Sequence, residues 1–135
     1  MTLRRRRLPA ELEEPYRAFA DVVAIVERSK LGLTKVVPTT RLPGVPLTEA
    51  LLGFEAMLRE ASDLMPSWRC APTDEAWIAA DEGLREALRR AERLREEAPD
   101  LGSFEELIWA VDELLAPLEG FETGVERFRS LRTKS

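Results

Sequence analysis

Apolar residues return every three or four positions along most of the chain, and strict alternation is nearly absent, so the pattern predicts helices. A first helix is predicted over about 9–31, with Leu12, Phe19, Val22, Val23 and Val26 on one face. Pro15 separates a short entry turn from its main body, and Gly32 is its stop. A second runs over about 47–64, where Leu47, Ala50, Leu51, Phe54, Met57, Leu58 and Ala61 form a buried stripe between Pro46 and Pro66. A third, over about 73–98, opens on Thr73 as the cap, with Asp74 and Glu75 against the helix dipole. Its apolar positions (Trp77, Ala80, Leu84, Ala87, Leu88, Ala91, Leu94 and Ala98) make a narrow stripe amid Glu and Arg, which predicts a helix on the outside.

The fourth helix starts at the capping box Ser103-Phe104-Glu105-Glu106. A heptad follows, with Phe104, Val111, Leu118 and Val125 at one seam position and Leu107, Leu114, Phe121 and Phe128 at the other. A second, uncharged and mostly small face carries Trp109, Ala110, Ala116, Pro117, Thr123 and Gly124. Pro117 removes a backbone donor, so a kink or break is expected between Glu113 and Pro117.

Links 65–72 and 99–102 are short, which makes the second, third and fourth helices antiparallel neighbours. The segment 32–46 differs, because Pro38, Pro43 and Pro46 favour an extended path. At about 3.1 Å per residue it reaches on the order of 45 Å, and a twenty-residue helix spans only about 30 Å. The expected fold is all-α, one domain over 9–135 behind a basic tail 1–8. It is a four-helix bundle whose long Pro-rich crossover sets the first two helices parallel.

Composition narrows the chemistry. With 44% hydrophobic and 33% charged residues, the chain is neither wholly disordered nor membrane-embedded. It has no His, Asn or Gln, which excludes imidazole catalysis and His-bearing metal sites. Di-iron bundles built on Glu and His are excluded with them, and Glu55, Glu60 and Asp63 read as a solvated face. Cys70, the only cysteine, lies beside Arg69 but lacks a base to activate it. Asp21 falls on an exposed stripe with Arg17 and Arg28, and the prolines around Gly44 remove the amides a phosphate loop would use. No catalytic residue, metal ligand or cofactor is therefore expected. The chain has no apolar run of membrane length and no secretory leader pattern, so a cytoplasmic setting is expected. Arg outnumbers Lys 17 to 3, which with the missing amides hints at a GC-rich, heat-adapted bacterial source.

The net charge of −5 is uneven, since outside the cluster Arg4, Arg5, Arg6 and Arg7 there are 16 bases against 25 acids. A further basic group, Arg127, Arg129, Arg132 and Lys134, follows at the other end of the sequence, where it complements the last helix's dipole. The expected function is that of a small non-catalytic interaction module that self-associates as a homodimer. Its contact residues are Trp109, Ala116 and Gly124, with Trp68 and Arg69 in the link 65–72 as further candidates. Nucleic-acid association through Arg4 to Arg7 is one alternative. A ligand-binding bundle with a cavity between Trp77, Phe54, Phe121 and Met57 is another.

Overall fold

Two helical hairpins close into a ring in which every neighbour runs antiparallel. A computed structural model describes residues 6–7, 9–39, 41, 43–97, 103–131 and 133–134. Among these the order is β1 (Arg6–Arg7), α1 (Glu13–Thr34), α2 (Leu47–Leu64), α3 (Asp74–Glu97), α4 (Phe104–Leu115), α5 (Leu118–Arg129) and β2 (Thr133–Lys134). The bundle is all-α apart from β1 and β2, which pair antiparallel with Arg6 opposite Lys134 and Arg7 opposite Thr133. Ala98, the link 99–102, Leu42, Arg132 and the tail residues Arg4 and Arg5 lie outside the described residues.

α2 lies between α1 and α3, and α3 between α2 and α5. The ring closes where Phe19 of α1 meets Phe121 and Phe128 of α5 and Lys30 reaches Glu122 at 2.7 Å. Direction follows from which ends meet. Phe19, early in α1, stacks at 4.1 Å on Trp68 just beyond α2. Trp77 near the start of α3 donates to the Met65 carbonyl, whereas Arg95 near its end holds Glu55.

The first connection therefore is not a crossover. Val45 N–H donates to the Lys35 carbonyl at 3.0 Å, closing 35–45 on itself, while Val36 and Val37 continue the end of α1 by bonding back to Leu33 and Thr34. Gly44 is needed there, because the place of a Cβ is taken by the Val36 carbonyl. Burial of Val36 ties the segment down, and the bond between Val45 and Lys35 makes it a closed loop instead of an extended run. The first two helices are antiparallel and not parallel.

α3 is also not peripheral. Its small residues are small because α5 comes close: a Cβ on Gly83 would stand 2.5 Å from the Phe121 amide nitrogen, and one on Gly124 would stand 2.7 Å from the Ala76 carbonyl. Ala76, Ala80, Leu84, Ala87 and Ala91 are buried along this seam and the α2 side. The stripe is narrow through close approach and not through exposure. Thr73 does not cap α3 as expected. Its hydroxyl accepts from the Cys70 N–H at 2.9 Å and donates to the Trp68 carbonyl, fastening the link that precedes the helix.

The predicted break occurs at Pro117. Lacking an N–H, Pro117 leaves the Glu113 carbonyl without its helical partner, and Arg90 of α3 supplies one, its Nη1 donating at 3.1 Å. Beyond the break the heptad continues into the core through Leu118, Phe121 and Phe128. Glu55 corrects another expectation. It is only 1% exposed, and Arg95 grips it at 2.8 and 3.2 Å. Arg59 bridges it to Glu92 across α2 and α3, so this carboxylate is an internal strut.

Candidate interaction surface

Ser103 starts α4 by accepting from the Glu106 N–H at 3.1 Å. From this start the helix divides unevenly. Ala110, Val111 and Leu114 are buried and Leu107 and Leu115 partly so, but Phe104 is 53% exposed, Ile108 36% and Trp109 62%. Phe104 and Ile108, four apart, stand on one row, and Trp109 heads the next. Singly exposed apolar residues are ordinary, but three large ones within six positions form a patch.

Trp109 borders a cleft of about 440 Å³ between α3 and α4. α3 contributes Glu86, Arg90, Arg93 and Leu94, and α4 contributes Ala110, Glu113 and Leu114 besides the indole. Its floor is apolar and its rim carries both charges. On the rim, Arg90 binds Glu86 at 3.0 Å and approaches the Glu113 carboxylate at 3.6 Å. Arg89 and then Arg90 hold the Glu86 carboxyl below its ordinary range. Arg93 has no hydrogen bond or ion pair among the described residues. The carboxylates of Glu105 and Asp112 on α4 are exposed and likewise have none there.

The anticipated contact residues separate into two groups. Trp109 and Ala116 are exposed, Ala116 at the break before Pro117. Gly124 and Trp68 are internal and cannot touch a partner: Gly124 lies against Ala76 and Ala80, and Trp68 is fully buried against Phe19 and Phe128. The small face of the last helix was thus two surfaces, of which the α5 half meets α3. Arg69 is exposed but engaged, stacked 4.0 Å over Trp77 and bonded to Asp74 at 3.3 Å. Arg6 and Arg7 sit in β1.

Phe54 and Phe121 are packed in the core, and Trp77 is half-buried at its edge beneath Arg69, so these residues do not enclose the ligand cavity considered from sequence. Cys70 Sγ lies 3.4 Å from the Thr73 hydroxyl in the same link. Among the described residues no three Cys, Asp or Glu side chains gather as a metal site, and no helix is long and apolar enough to cross a membrane.

Phe104, Ile108, Leu94, Arg90 and Arg93 were not anticipated at this surface. Phe104 was concealed by its heptad position, although the first turn of a helix has no preceding turn to cover it. Arg90 had a readable signal, since a proline inside a helix orphans a carbonyl that some donor must satisfy. Comparison with protein-family models, curated proteins and solved structures finds no match to this chain.

Proposed function

We propose that the protein is a small non-catalytic helical-bundle interaction module whose contact face is the outer side of α4 and the cleft it forms with α3. One observation carries this reading: Phe104, Ile108 and Trp109 stand exposed together on α4, Trp109 at the edge of a cleft with an apolar floor and a charged rim. An aromatic anchor beside a pocket with polar surroundings is the usual anatomy of a contact hot spot. A second copy of the chain is the simplest partner. The test is site-specific photo-crosslinking in cells with the full chain. A photoreactive residue at position 109 is expected to yield protein adducts, and one at the exposed Asp21 position on α1 is not. Equal labelling from both positions, or from neither, rejects the reading.

A second reading, nucleic-acid association, is favoured by the pairing of β1 with β2, which sets Arg6 and Arg7 beside Thr133 and Lys134, on the side of α5 that ends in Arg127 and Arg129. It predicts oligonucleotide binding that falls steeply between 50 and 200 mM salt, as expected of several phosphate contacts. Deletion of residues 1–8 is expected to abolish that binding, and retention after the deletion removes this reading.

A further inference from the structure

We infer that the partner at this face is a second copy of the chain, docked about a two-fold axis near Trp109 so that each indole enters the other copy's α3/α4 cleft. The inference rests on the interaction-module reading and specifies its partner. Three features favour a copy over an unrelated protein. First, knob and hole are adjacent: Trp109 edges the cleft, floored by Leu94, Ala110 and Leu114, that would receive it. A two-fold contact requires one patch to carry both complementary shapes, because each residue meets the same surface on its mate. Second, the cleft's 440 Å³ has room for an indole.

Third, the charges are divided between the two helices of the face. Arg93 on α3 has no pairing partner among the described residues, and neither has Glu105 one turn before Trp109 on α4. A two-fold axis running parallel to the helices, between Trp109 and the cleft, reverses their order, so that α4 of one copy overlies α3 of the other. Glu105 then meets Arg93 twice, once on each side of the axis. Arg90 remains occupied with Glu86 and Glu113. The arrangement places an aromatic pair at the centre and ion pairs at the rim, and the rim sets register and partner choice more than affinity.

Sedimentation or mass photometry of the full chain over a concentration series tests this. The wild type is expected at twice the 15.3 kDa chain mass. Trp109→Ala removes an exposed side chain and keeps the fold, and is expected to weaken the dimer by roughly 30-fold or more, as for a central hot spot. Arg93→Glu and Glu105→Arg are each expected to weaken their own homodimers, and mixed together to form a heterodimer in which both rim pairs are restored. A dimer indifferent to Trp109→Ala, or no preference for the mixed pair, overturns the inference. A wild type that stays monomeric while position 109 crosslinks to a different protein also overturns it, but keeps the interaction-module reading. A monomer without crosslinks removes both.

Discussion

Single residues decide how closely the helices of this bundle approach, and its glycines show it most directly. Gly83 and Gly124 sit where α3 and α5 touch, and a methyl group on either would run into backbone. Gly83→Ala and Gly124→Ala are each expected to destabilise the fold, the overpacking cost of roughly 1–3 kcal/mol outweighing the helix propensity that alanine adds. Gly32 and Gly53 face open space within their helices. There the same change is expected to stabilise by about 0.5–1 kcal/mol. Thermal or urea unfolding of the four variants checks the contrast, and a common sign for all four would disprove it. The sequence displays seven glycines without distinguishing these roles, because the difference lies in which helix stands opposite. Trp68 is similar: it reads as an exposed link residue, yet it fills the core between Phe19 and Phe128. Trp68→Ala is expected to cost about 3–5 kcal/mol in the same assay.

Elements were more legible than their neighbours. Periodicity located α1 to α5 and Pro117 located the break, because both follow from local backbone chemistry, although α1 runs through Gly32, its expected stop, to Thr34. Direction and adjacency followed where the links are short, for α2, α3 and the last helix, but not for α1 and α2, whose antiparallel packing depends on pairings such as Val45 with Lys35 that leave no local trace. Length alone allowed a long crossover, which the Val45–Lys35 bond, the burial of Val36 and the close fit at Gly44 exclude. The exposed face of α4 was half legible: Trp109 stood out as an outward aromatic, whereas the cleft beside it depends on where α3 lies. At the break, Arg90 substitutes for the amide that Pro117 lacks. Arg90→Met is expected to destabilise by about 1–2 kcal/mol by stranding the Glu113 carbonyl. In a Pro117→Ala background the same substitution is expected to cost less, because the helix then satisfies that carbonyl itself. A double-mutant cycle by chemical unfolding measures the coupling, and strict additivity would sever the two residues.

At the scale of the whole molecule, a polar contact clips the ring where α1 meets α5. The Lys30 ammonium lies 2.7 Å from Glu122, and the hydrogen bond to that carboxylate raises the Lys30 pKa above its ordinary value, against the opposing effect of partial burial. A raised folded-state pKa contributes stability that is complete below the unfolded-state value and is lost as pH climbs through the folded one. The difference in melting temperature between wild type and Lys30→Met is therefore expected to be constant near neutrality and to shrink only at strongly alkaline pH. A difference that instead grows with alkalinity would contradict the assignment.

Residues 6–7 lie alongside 133–134, and the helices leading away from that ribbon, α1 and α5, are antiparallel mates. Handles attached at residues 6 and 134 would thus load a zipper from its open end, separating contacts one after another, whereas anchors at opposite poles would load many contacts at once in shear. Stretched by optical tweezers from the ribbon end, the bundle should yield at low force, with the ribbon and the Tyr16–Phe128 contact the first to part.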